Sequence, residues 1–158
     1  MTVGSFMLML LASEPISTTP MPAAAVVPVD EAVKVISDMR YALRPNWQNV
    51  IIHSSNAEGP DIARRCHFVI DAAGNLSRTD LWSRQLDGNH VYIYGGDWNS
   101  VSIGVLVIID PSHKRLQAQS DALEKLIEGL KQVCHIPDSH IYRHAQLQSS
   151  PAGCGMFN

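Results

Sequence analysis

The sequence has few cysteines, little net charge and no long apolar run. Its three cysteines are odd in number and form no CxxC pair, so a disulfide framework is not expected. A formal net charge of −3 and a pI of about 6.1 leave no basic surface for nucleic acid. No stretch reaches the roughly 20 apolar residues of a membrane-spanning helix. These absences exclude a disulfide-stapled miniprotein, a nucleic-acid-binding protein and a transmembrane span.

What is present fits one globular domain. A chain of 158 residues, 46% of them hydrophobic, can bury a sizeable core without metals or disulfides. The same composition argues against a disordered protein. Seven histidines stand out. Histidine is the commonest metal ligand and titrates near neutral pH, so the histidine positions are where chemistry is sought first.

The first 28 residues differ from the rest. A short apolar run, FMLMLLA at 6–12, is followed by a segment rich in Ser, Thr, Pro and Ala up to Pro28. A secretory signal has such a core, but the first basic residue is Lys34, well behind it. Two interpretations stay open: a signal that leads to the cell envelope or outside the cell, and a disordered tail on a cytoplasmic protein. The folded domain is predicted over 29–158.

Hydrophobic periodicity predicts alternating helices and strands. Apolar, β-branched runs predict strands at 50–53, 66–71, 76–82 and 101–109, the second and third joined by a turn at Gly74. Residues 141–143 are expected to form a last short strand or a loop. Helical spacing predicts one helix from Asp30 to about Leu43 and a second helix capped by Ser120. The 101–109 segment is the most apolar and is predicted to be the central strand. The expected fold class is α/β, with a mixed central β-sheet flanked by helices.

Three residues form the best metal constellation in the sequence. They are His53, at the end of the first predicted strand, and His144 and Cys154, which flank a polar loop. Two imidazoles and a thiolate suit zinc, and three protein ligands leave a fourth position open for catalysis. Spacing alone equally allows a strand-end histidine, a surface histidine and a small packed thiol.

The order of several motifs adds to this interpretation. VIIHSS is followed by CHFVIDAAGN, GNHVYIYGGDWNSVSIGV, a helix and RHAQLQSSPAGCGMF. Over Val50 to Phe157 this order resembles the zinc-dependent N-acetylmuramoyl-L-alanine amidases, the type-2 amidases that share a fold with peptidoglycan recognition proteins. The resemblance implies that fold, and it places His53, His144 and Cys154 at the three zinc-ligand positions.

The resemblance also implies an activity. A member of this family hydrolyses the amide bond between N-acetylmuramic acid and L-alanine, with peptidoglycan or a muropeptide as substrate and Zn²⁺ as cofactor. The metal polarises the amide carbonyl and makes water reactive at neutral pH. On this basis we expect a hydrolase of the bacterial cell wall.

Several family positions are altered in this chain. Where relatives carry an assisting Tyr, Glu, or Lys or Thr, this sequence has Cys66, Leu106 and Ala152. Loss of one oxyanion donor in other enzymes costs on the order of a hundred- to a thousandfold in rate. His90, in the GNH motif, is the candidate catalytic residue that could replace them by donating to the substrate carbonyl. The alternative for His90 is a satisfied histidine on a polar loop.

Two further hypotheses compete with the enzyme. One is a module that keeps the amidase fold and binds peptidoglycan or muropeptides with little or no cleavage. The other is a purely structural zinc site, for which Cys66 or His90 would supply a fourth ligand.

Overall fold

The computed structural model describes residues 34, 36, 46–55, 63–91, 96–109 and 117–148. The amino-terminal segment 1–28 and the predicted site positions Ala152 and Cys154 lie outside these ranges. The predicted domain boundary at residue 29 also lies outside them and stays a prediction.

A single five-stranded sheet organises the described part of the chain. Its strands are β1 (Asn49–Ser55), β2 (Phe68–Ile70), β3 (Leu76–Arg78), β4 (Ser102–Ile108) and β5 (Ile141–Arg143). Their order is β3-β2-β4-β1-β5. β1 pairs in parallel with β4 and β5, and β2 is parallel to β4 but antiparallel to β3. The predicted mixed sheet is confirmed, and β4, the most apolar strand, lies at its centre.

The predicted hairpin between β2 and β3 is present. Gly74 adopts φ +92°, a left-handed conformation that glycine reaches without steric cost. The Asp71 carboxylate accepts hydrogen bonds from the backbone N–H groups of Ala73 (2.9 Å) and Asn75 (2.8 Å), which stabilises the turn.

The prediction that the partner strand continues to Trp82 is wrong. β3 ends at Arg78, and the Thr79 hydroxyl donates to the carbonyl oxygen of Cys66 at 2.7 Å. The chain then forms a short helix, α1 (Asp80–Ser83), which turns Trp82 fully into the core. Burial of this large aromatic ring outweighs the local preference for an extended strand.

Three more α-helices and one 3-10 helix have bounds within the described residues. They are α2 (Trp98–Val101), α3 (Gln117–Cys134), the 3-10 turn Asp138–His140 and α4 (His144–Gln148). Ser120 was predicted to cap α3, but the helix already includes Gln117, so Ser120 lies inside it. Lys34 and Ile36 are helical, as the first predicted helix requires. No helix within the described ranges is long and apolar enough to cross a membrane.

Side chains of the sheet point alternately to two unlike faces. One face packs against α3, whose Leu123, Leu126 and Leu130 are buried in the main core. The other face carries a smaller apolar cluster of Ile51, Val91 and Leu147. Alternation along β1 places His53 on this second face, together with Ile51. The core therefore lies on one side of the sheet and the histidine on the other.

A buried glutamine joins α3 to the sheet. The Gln119 Nε2 donates to the carbonyl oxygens of Asp71 (2.7 Å) and Ile108 (2.6 Å), and its side chain is fully buried. These bonds connect the helix to the β2–β3 turn and to the end of β4.

We expect Gln119→Leu to lower the free energy of unfolding by about 2 kcal/mol, because two buried carbonyl groups lose a donor. Urea denaturation monitored by circular dichroism measures this loss. Gln132→Leu, at an exposed position of the same helix, is the matched control and should change stability little. Equal effects of the two substitutions would contradict the role given to the buried amide.

Candidate active site

His53 and His144 meet because two neighbouring strands are parallel. β1 and β5 pair with Ile52 opposite Arg143, and the next residue along the chain in each case is a histidine. The two imidazole centroids lie 4.6 Å apart, with 34° between the ring planes. The structure thus brings together two predicted zinc ligands that are far apart in sequence.

The local setting of each histidine differs from the prediction in detail. β1 was predicted to end at His53, but it continues to Ser55 because the parallel pairing with β4 extends to Ile108. His53 is therefore held within a strand, with residues paired to β4 before and after it. His144 is the first residue of α4 and follows β5 directly.

Both imidazoles favour the neutral form. Burial, together with the positive charges that His90 and His144 would carry, lowers the pKa of His53 to about 3. Burial also lowers the pKa of His144. A neutral imidazole offers a lone pair, which is the form that coordinates a metal ion.

A third histidine, His90, contacts His53. Its Nδ1 lies 3.3 Å from the Nε2 of His53, and its Nε2 lies 3.3 Å from the carbonyl oxygen of Ser102. Burial lowers the pKa of His90 to about 3. Both ring nitrogens thus have partners within the protein.

The backbone that carries His90 is fixed by Asn99, a residue of α2. The Oδ1 of Asn99 accepts from the N–H groups of His90 and Val91, each at 3.1 Å. Its Nδ2 donates to the carbonyl oxygen of Val91 at 2.7 Å. One amide side chain therefore satisfies three backbone groups of this loop.

Two glycines make room for the His90 ring. A Cβ at Gly104, in β4, would lie 2.7 Å from the Cδ2 of His90, and a Cβ at Gly88 would lie 2.3 Å from the same atom. Neither distance is compatible with a side chain. Gly88 precedes Asn89 and His90, and Gly104 follows Ser102 and Ile103, but only the folded structure shows that both glycines contact the same ring.

His67 is a structural residue. Its ring is fully buried, with Nε2 2.9 Å from the carbonyl oxygen of Leu86. Its Nδ1 accepts from the N–H of Gly104 at 3.0 Å, and the Trp47 ring packs edge-on against it. With Nδ1 accepting, Nε2 must donate to the Leu86 carbonyl, so the ring is neutral and satisfied.

Two of the altered family positions are buried. Leu106 pairs with His53 across β1 and β4 and is buried, so no ionisable group stands there. Cys66 is buried as well, and burial raises the pKa of its thiol to about 12. Neither residue can act as an acid–base group near neutral pH. Ala152, the third such position, lies outside the described residues.

The described ranges contain no group of three His, Cys, Asp or Glu side chains that could hold a metal ion. A structural site completed by Cys66 or His90 would also include Cys154, so that hypothesis stays a prediction. Two of the three predicted catalytic ligands, His53 and His144, are adjacent. The third, Cys154, lies beyond the ranges that the structure covers, so the complete ligand set stays a prediction.

Comparisons with known proteins show which family and which fold this chain resembles. The family model described as N-acetylmuramoyl-L-alanine amidase matches residues 35–153, well over half of the 158-residue chain. Among curated proteins, none is similar enough in sequence to count as a match.

Solved structures resemble the fold. One is the endolysin N-acetylmuramoyl-L-alanine amidase LysCS from Clostridium intestinale URNW, 18% identical with a TM-score of 0.51, covering 72% of this chain and 79% of that chain. Another is the N-acetylmuramoyl-L-alanine amidase LysC of the same organism, 18% identical with a TM-score of 0.50, covering 73% and 81%.

The mixed sheet with flanking helices is thus the fold expected from the sequence motifs, and the match to the family model covers both adjacent histidines. The chain belongs to the N-acetylmuramoyl-L-alanine amidase family of hydrolases.

Proposed function

We propose that this protein is a zinc-dependent amidase that hydrolyses the bond between N-acetylmuramic acid and L-alanine in peptidoglycan. The observation that carries the proposal is the pair of imidazoles of His53, in β1, and His144, directly after β5, whose ring centroids lie 4.6 Å apart. The family is generally zinc-dependent, which agrees with this pair.

The chemistry of the donors fits zinc. Neutral imidazole nitrogens are good zinc ligands, and a cysteine thiolate is another. His53, His144 and Cys154 would hold the ion, and three protein ligands leave a position open for catalysis. Zinc bound there supplies a Lewis acid that polarises the amide carbonyl and promotes attack by water.

The residues around His53 and His144 fix their positions and include few charged groups. β1 fixes the His53 backbone through its pairing with both β4 and β5. Leu106 presents an apolar side chain where relatives of the resembled family carry an assisting glutamate. We therefore expect slow turnover compared with enzymes that keep such a group, because a lost transition-state donor costs on the order of a hundred- to a thousandfold.

The proposed partners follow from the activity. The substrate is peptidoglycan or a soluble muropeptide, which such a protein meets in the cell envelope or outside the cell. The apolar run at 6–12 is the candidate export signal.

Purified cell wall should release peptides when incubated with the protein, and a chelator should stop the release. His144→Ala should lose both bound zinc and peptide release, since it removes one of the adjacent imidazoles. The measurements are new amino groups in the supernatant and metal content per chain.

His135→Asn is the matched control for that experiment. It removes an imidazole at a left-handed position (φ 58°) after α3, a conformation that asparagine tolerates, and it should keep full activity. If the protein binds zinc but releases no peptide even at high concentration, the proposal fails and a non-catalytic binding module becomes the better description.

Cys154→Ala should also abolish zinc binding, because it removes the only thiolate of the predicted ligand set. Metal analysis after dialysis measures this loss, and circular dichroism shows whether the variant remains folded. Retention of one zinc per folded chain would show that another residue is the third ligand.

A further inference from the structure

We infer that His90 is a positioning residue, which fixes the tautomer and orientation of His53 so that the Nδ1 of His53 is the metal-binding atom. This inference rests on the proposed function. It assigns His90 a different role from the substrate contact predicted from the sequence.

The tautomer follows from one carbonyl group. The Nε2 of His90 lies 3.3 Å from the carbonyl oxygen of Ser102, and a carbonyl can only accept a hydrogen bond. The hydrogen of the neutral His90 ring is therefore on Nε2, and its Nδ1 has only a lone pair. That lone pair faces the Nε2 of His53 at 3.3 Å, so His53 must carry its hydrogen on Nε2 and donate it.

The direction of these two hydrogen bonds decides which atom of His53 can bind a metal. With the hydrogen on Nε2, the lone pair of the neutral His53 ring is on Nδ1. Metal-bound histidines usually donate their second ring nitrogen to an outer acceptor, which orients the ring and raises its basicity. Here the acceptor is another histidine, which is in turn oriented by Ser102, the first residue of β4.

The protein holds His90 firmly enough for this task. Asn99 fixes its backbone, and the ring lies against Gly104 and Gly88, where a Cβ would come within 2.7 Å and 2.3 Å of it. Gly104 belongs to β4, the strand that pairs with β1. The position of His90 is therefore fixed relative to β1, which carries His53, and to β4, which carries Gly104 and Ser102.

Two substitutions distinguish the role of His90 as a hydrogen-bond acceptor from the role of its volume in packing. His90→Leu fills similar volume without a polar atom and leaves the His53 N–H without its acceptor. His90→Asn is smaller, but its Oδ1 can take the place of Nδ1 as acceptor. We expect the leucine variant to bind zinc about 10- to 100-fold more weakly and the asparagine variant to stay within about threefold of the parent.

Zinc affinity is measured by competition with a chromophoric chelator, and thermal unfolding without zinc shows that each variant is folded. A purely packing role predicts the opposite order, with the smaller asparagine more harmful than leucine. Equal affinity of the leucine variant and the parent would overturn the inference.

The tautomer is also measurable in the unsubstituted protein without zinc. Long-range proton–nitrogen correlation spectra, assigned with His53→Gln, should show His53 with its hydrogen on Nε2. A hydrogen on Nδ1 would overturn the inference even if no variant folds. This experiment needs neither zinc nor substrate, so it tests the positioning of His53 separately from the proposed function. The protein can lack amidase activity and still show this tautomer, and it can be an active amidase that shows the other tautomer.

Discussion

The parallel pairing of β1 with both β4 and β5 is the constraint on which the site depends. Pairing with β5 brings His53 and His144 together near the carboxyl ends of the two strands, although 90 residues separate them. Pairing with β4 places Gly104 and Ser102 beside β1. Gly104 leaves space for the His90 ring, and the carbonyl oxygen of Ser102 accepts a hydrogen bond from it. If β1 slipped by one residue, its buried apolar side chains would move to the opposite face, so the core on that face enforces the register of the histidines.

Beside its small apolar cluster, the second face of the sheet holds polar groups whose hydrogen bonds are made within the protein. His67 donates to Leu86 and accepts from Gly104, while Asn99 satisfies three backbone groups of the loop that carries His90. Buried polar groups stabilise a structure only when their hydrogen bonds are made, and these are made. Such a network holds imidazoles in fixed tautomers, which water at an exposed surface would not do.

Much of the fold could be predicted from local pattern. The mixed sheet, the central apolar strand, the hairpin at Gly74 and the apolar stripe of α3 all follow from periods of two and 3.6 residues. The errors were at element ends. The predicted strand after Gly74 is too long, because burial of Trp82 favours a helix there. The predicted β1 is too short, because its last residues pair with β4. Both depend on partners distant in sequence.

The sequence by itself determined the fold class, the family and the predicted metal ligands, because residue type and motif order carry that information along the chain. Only the tertiary structure decided that His53 and His144 are adjacent, that Leu106 and Cys66 are buried without charge, and that both nitrogens of His90 face inward. A hydrogen-bond partner is a property of three-dimensional neighbours. The role of a histidine is set by those neighbours and not by its place in a motif.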